Sequence, residues 1–149
     1  MHLKEKLLEH CRTYVEKKQE SLKFRHRMLE DSLRNETKST AGDKHETGRA
    51  MVQLEQEKLG KQEREIEILR ETLQRVTIDK PTPNISLGSF VKTSSHSYFL
   101  AIFAEAFEHD GNKVFCISTA SPIGQRLLGK TTDEAFQFNG KTIKILEIR

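Results

Sequence analysis

Between Leu3 and Val76 the chain repeats apolar residues at alternating spacings of three and four, and after Leu87 it changes to short runs in which apolar and polar residues nearly alternate. The first is the period of a helical seam and the second that of strands. In the later helical stretch Val52, Leu59, Ile66, Leu69, Leu73 and Val76 mark the seam, with Glu55 and Gln62 at intervening positions. The earlier stretch supplies Leu3, Leu7, Leu8, Cys11, Tyr14, Val15, Leu22, Phe24, Met28, Leu29 and Leu33, interrupted by Lys18 and Arg25. Folding the chain back about a turn near residue 42 sets Leu8 near Val76, Cys11 near Leu73, Val15 near Leu69 and Leu33 near Val52. The two stripes then match, which predicts an antiparallel two-helix coiled-coil hairpin with arms of roughly 45 to 50 Å at 1.5 Å per residue.

Residues 77–84 carry Pro81, Pro83 and several turn formers, which stop a helix and stiffen a linker. The chain is therefore divided into a hairpin over 1–78, with its tip at 39–48, and a C-terminal domain over 79–149. Runs at 87–92, 97–103 and 113–118 are rich in aromatic and branched residues and predict strands. His109-Asp110-Gly111-Asn112 and Asn139-Gly140 are hairpin connections, the second flanked by Phe136, Phe138, Ile143, Ile145 and Ile148. Residues 121–130 predict one short helix, capped by Ser121, begun at Pro122 and ended by Gly129. The expected class is α+β, a helical hairpin followed by a small antiparallel sheet with one short helix.

Composition narrows the function more than the fold. Across 149 residues the charged fraction is 32%, yet Lys and Arg total 25 against 22 Asp and Glu. A net charge of +3 is too small to argue nucleic-acid binding by itself, and mixed charge suits long solvated helices. No apolar run approaches the roughly 20 residues of a membrane span, and the first residues lack the order of a secretion signal, so a cytoplasmic protein is expected. Cys11 and Cys116 show no metal-ligand spacing and are expected as free buried thiols. A monomer is expected, with weak self-association open to the seam positions near the tip.

The candidate chemistry lies at that tip. Asp43-Lys44-His45-Glu46 has the form of a capping box, in which Asp43 or Thr40 caps the second helix. Its two carboxylates are also hard oxygen donors three residues apart, suited to completing the shell of a Mg²⁺ ion held elsewhere and too few for a metal site of their own.

An N-terminal helical hairpin with an Asp-x-x-Glu tip, followed by a sheet domain containing Ser-Pro-Ile-Gly-x-x-Leu-x-Gly-Lys (121–130), resembles the bacterial Gre transcript-cleavage factors over nearly the whole chain. The resemblance implies an FKBP-like C-terminal fold and a partner, RNA polymerase, whose secondary channel receives the hairpin. It implies that Ser121, Pro122, Ile123 and Gly124 dock at the channel rim. It also implies that Asp43 and Glu46 act in trans, holding a second Mg²⁺ and a water while the polymerase's own centre cleaves backtracked RNA. The protein is thus expected to be an activator and not a free-standing enzyme, with no cofactor of its own.

The tip departs from the family pattern, with Lys44 for an apolar residue, Thr47 for Asn, and Arg49-Ala50-Met51 where a second acid and an aromatic are usual. Ala120 stands before Ser121 where a polar residue is usual. These departures keep open an alternative, a channel-occupying regulator without cleavage. Basic residues on the first helix, with Arg25, Arg27 and Arg34 foremost, are candidate contacts to the nascent RNA 3′ end, against a plain solvated face interspersed with Glu16, Glu20, Glu30 and Asp31. A prolyl isomerase or chaperone is a further alternative resting on fold alone.

Overall fold

The computed structural model describes residues 2–38 and 42–149, and side chains outside 36–47. It consists of α1 (Leu3–Lys38), α2 (Gly42–Arg75), β1 (Phe90–Thr93), β2 (Ser97–Ala101), β3 (Ala104–His109), β4 (Asn112–Ser118), α3 (Pro122–Leu127), β5 (Ala135–Phe138) and β6 (Lys141–Ile148). By packing the chain forms two compact units, one of Met1–Tyr14 with Arg70–Arg149 and one of Val15–Leu69.

Helices of 36 and 34 residues are each roughly 50 Å long. They run antiparallel: Arg25 Nη1 donates to Gln62 Oε1 at 2.9 Å, and Leu8 and Val76 line one cavity. The expected seam is the buried one. Val15, Leu22, Leu59 and Ile66 are buried in the Val15–Leu69 unit, and Val52, Gln62 and Leu69 are half-buried. His26 occupies a seam position between Leu22 and Leu29, its Nε2 2.5 Å from Glu63 Oε1 across the hairpin. Phe24 and Met28 do not join the stripe. Each falls two residues after a seam position, about 200° around the helix, and they are 57% and 53% exposed.

The sheet has six strands in the order β3-β4-β2-β1-β6-β5. Four of its pairings are antiparallel and one, β2 with β4, is parallel, with Phe99 opposite Cys116 and Leu100 opposite Ile117. The run expected as one strand over 97–103 ends at Ala101, and β3 follows after Ile102-Phe103. β3 takes the edge place beside β4, so β4 must enter next to β2 in the same direction.

Alternation along the strands gives the sheet two buried faces. On one, Val91, Tyr98, Leu100, Phe136, Ile143 and Ile145 pack with Ile85 and with Leu127 of α3. On the other, Phe90, Phe99, Ala101, Val114 and Cys116 are buried, and Cys116 there meets Cys11 of α1. Tyr98, Phe99, Leu100 and Ala101 are consecutively buried because β2 is covered on both sides, the usual context of a parallel pairing.

The connections follow the turn chemistry read from the chain. Asp110-Gly111 (φ 50° and 78°) and Asn139-Gly140 (φ 51° and 76°) give the two consecutive positive φ values that a tight hairpin matched to strand twist requires. Between α2 and β1, Gly88 has φ +93°, and a Cβ there would come within 2.5 Å of the Thr77 carbonyl oxygen and 3.3 Å of Val76 Cγ1. Its N–H donates to Leu100 O at 2.7 Å, which fixes the exit of α2 against β2.

Candidate functional site

Asp43 and Glu46 fall by number in the first turns of α2, but their side chains lie outside the described residues, as does the connection 39–41. Just beyond them, Arg49 is exposed and Met51 is 65% exposed. Among the described residues no group of three or more His, Cys, Asp or Glu side chains could hold a metal ion. Two carboxylates of the acid pair are donors of the right hardness for magnesium but fill a minority of a six-oxygen shell.

The block at 121–130 forms α3 and its flanks, and the geometry gives most of its residues internal work. Ser121 is the N-cap, with φ −66° and ψ 158°, and its Oγ accepts from Gly124 N at 3.1 Å while donating to Ser118 O at 2.6 Å. Pro122 takes the first helical position, where its missing N–H costs nothing. Gly124 is buried, and a Cβ there would sit 2.2 Å from Ser118 O and 3.1 Å from Thr119 Cα, so backbone crowding alone demands glycine. Ile123 packs against the Leu127 cluster. Of the four residues assigned to docking, Ser121 and Ile123 are half-buried, Gly124 is buried, and Pro122 alone is exposed.

The residues assigned to RNA contact lie on the outer part of α1. Arg25, Arg27 and Arg34 are all exposed, and Arg25 is held across the hairpin by Gln62. They do not form one cluster by position: Arg34 lies nine positions after Arg25, with exposed Glu30 and Asp31 between.

No protein-family model matches the chain, and no curated protein matches it. Solved structures do. The prokaryotic transcription elongation factor GreA/GreB from Nitrosomonas europaea is 20% identical, over 56% of this chain and 78% of its own length, with a TM-score of 0.33. The GreA factor homolog 1 (Gfh1) of Thermus thermophilus is 21% identical, over 95% of this chain and 94% of its own, with a TM-score of 0.35. One of these two is a Gre factor and the other a GreA homolog, the family that the sequence motifs resemble.

Two features near α3 escape a reading by motif. Arg126 Cζ lies 5.6 Å and Lys130 Nζ 5.5 Å from the centroid of the Phe136 ring, so two cations flank one buried aromatic. Leu128, between them in sequence, is 40% exposed. Their four-residue spacing was the available signal, but it meets at Phe136 only because β5 packs beside α3. The structure also brings together two residues that the sequence placed in separate halves: Cys11 and Cys116 are both free, both buried and hydrogen-bonded to each other.

Among the described residues no helix is long and apolar enough to cross a membrane.

Proposed function

We propose that the chain is a transcription factor that inserts its hairpin into the secondary channel of RNA polymerase and stimulates cleavage of backtracked RNA. The observation that supports this best is the joint presence of a hairpin with arms of roughly 50 Å, the Asp43–Glu46 pair at the start of α2, and the Ser121-capped α3 with exposed Pro122. A long arm with a narrow buried seam contributes little to a core, whereas it carries a terminal acid pair far from the sheet along the chain.

In this reading Asp43 and Glu46 contribute oxygen donors to a magnesium ion shared with the polymerase, which when bound stabilises charge on the oxygens of the displaced phosphodiester. Their second task is to orient the attacking water by accepting its protons as hydrogen bonds. Pro122 and the neighbouring surface of α3 hold the C-terminal domain at the channel rim, and outward arginines of α1 meet RNA phosphate. Because the polymerase supplies the remaining ligands and the substrate, the chain is an activator and not an enzyme by itself.

The test is a backtracked elongation complex with polymerase from the same organism, the chain and Mg²⁺. Shortened RNA is expected, with at least a ~10²-fold loss of rate in Asp43→Ala and in Glu46→Ala, of the order lost when a catalytic electrostatic contact is removed, and with undiminished competition by either variant against the wild-type chain for polymerase. Absence of any shortening would sink the cleavage reading.

One observation favours a second reading. Lys44 and Arg49 bring positive charge and Thr47 no extra acid beside the pair, and exposed Arg49 and Met51 follow it. A regulator that occupies the channel without cleavage would slow nucleotide addition equally in the wild type and in Asp43→Ala.

A further inference from the structure

The most chemically distinct feature outside the acid pair and α3 is the contact of two thiols at the root of the hairpin. Cys11 is 0% and Cys116 1% exposed, and neither is in a disulfide. A hydrogen bond joins the two side chains, and the backbone of Ile102 donates a second to Cys11. Their approach is fixed by neighbours. His10 Nε2 donates to Glu105 O at 2.6 Å and its ring lies 5.2 Å from that of Phe107, which seats this turn of α1 on β3. In β3, Ala104 is the direct partner of Cys116 in β4. All of these residues belong to one packed unit, Met1–Tyr14 with Arg70–Arg149.

We propose that Cys11 and Cys116 form a modification site, a thiol pair that a hydroperoxide oxidises to an intramolecular disulfide pinning the first turns of α1 to β4. The proposal is independent of any role in transcription.

The order of events follows from the environments of the two sulfurs. The hydrogen bond with Cys116 and burial both push the Cys11 thiol up, whereas donation from Cys11 pulls Cys116 down against its own burial. Cys116 is therefore the sulfur that ionises first. Its thiolate attacks the peroxide O–O bond, takes one oxygen as a sulfenic acid, and releases an alcohol, or water when the oxidant is hydrogen peroxide. Cys11 sulfur then attacks the sulfenic sulfur. The S–S bond forms as the S–O bond breaks, and the departing oxygen leaves as water with the Cys11 proton. Two electrons pass from the sulfurs to the peroxide, and no further reductant or oxidant is needed. Because both thiols are buried, oxidation proceeds through local opening at the root of α1 and is slow compared with that of an exposed thiol. Once formed, the bond closes a loop of about a hundred residues, the length range in which a cross-link restrains the unfolded chain most.

Two measurements on the intact chain test this. The reduced protein is treated with hydrogen peroxide, free thiols are alkylated in denaturant, and peptides are mapped by mass spectrometry. The expected product is lighter by two hydrogen atoms, monomeric, and contains a Cys11–Cys116 linked peptide; over-oxidised Cys116 without a link, or a disulfide between chains, would overturn the proposal. The chain is also equilibrated with glutathione redox buffers, folded and in urea. Folding should favour the disulfide by at least ~100-fold over the urea state, and the oxidised form should melt roughly 5 °C or more above the reduced one. A ratio at or below one, or a lower melting temperature on oxidation, would show that the folded geometry opposes the bond. Neither arm depends on a cysteine variant that fails to fold.

Discussion

The unit built on the sheet and the outer hairpin use apolar residues in different ways. In the first, the sheet is covered on both faces, and Phe99, Leu100, Leu127 and Ile145 are fully buried. In Val15–Leu69, the buried apolar side chains among the described residues are Val15, Leu22, Leu59 and Ile66, none of them fully so, a single line along two helices. The same region leaves Phe24, Met28, Met51, Leu54 and Ile68 more than half exposed. Two helices alone cannot enclose a residue from all sides, so each seam contact stabilises its own turn and few others. Stability in the sheet unit is shared among many neighbours; in the hairpin it is strung out in sequence. The outer hairpin is consequently free to vary on every face but one, which is where residues serving a partner can be placed without disturbing the fold.

Substitutions can break or sharpen this contrast. The largest effect is expected for Phe99→Ala, which opens a cavity beneath the α1 root and should cost about 3–5 kcal/mol in urea unfolding. A cost near 1 kcal/mol would mean that this face is covered less completely than its burial indicates. Ile66→Ala should cost about 2–3 kcal/mol, less because a seam can settle around the gap. Its diagnostic is amide exchange, faster throughout Val15–Leu69 and nearly unchanged in β2 and β4; equal acceleration in both would erase the distinction between the units. Gly124→Ala forces a methyl against Ser118 O and should lose about 1–3 kcal/mol, read as a fall in the melting temperature of the sheet unit. Met28→Lys, on the outward face of α1, should stay within about 0.5 kcal/mol of the wild type. A larger loss there would reveal packing on the outer face.

Much of the fold is legible in the chain because helices and turns are decided locally. The three-and-four spacing marks the buried line of α2 from Leu59 through Ile66 to Leu73, and Ser121, Pro122 and Gly129 bracket α3 by their capping chemistry. Phe24 and Met28 look like seam residues by hydropathy, but the angle per residue puts them outside. β3 is the element that local signals do not reveal. Its sequence, Ala-Glu-Ala-Phe-Glu-His, has no β-branched residue, and what makes it a strand is pairing with β4, a tertiary event. The parallel β2–β4 pairing follows from the same insertion. In α3 the motif is visible in the sequence but its packing is not: Gly124 reads as part of a docking block, and only the position of Ser118 shows that no other residue fits there. The acid pair is legible only as residue types and spacing, because the side chains of Asp43 and Glu46 lie outside the described residues and the role proposed for them runs through a partner's atoms.

The crowding at Gly88 has a consequence for anyone rebuilding the molecule. Since Thr77 and Val76 lie against residue 88, and Met1–Tyr14 and Arg70–Arg149 pack as one body, the last turns of α2 and the first turns of α1 belong physically to the sheet. A chimaera that exchanges the hairpin at Pro81 would tear that body apart, whereas splices after Tyr14 and before Arg70 would leave it whole. The hairpin is then a cartridge, replaceable with arms of other lengths and tips, and the sheet with its helical stubs is the holder into which such cartridges would fit.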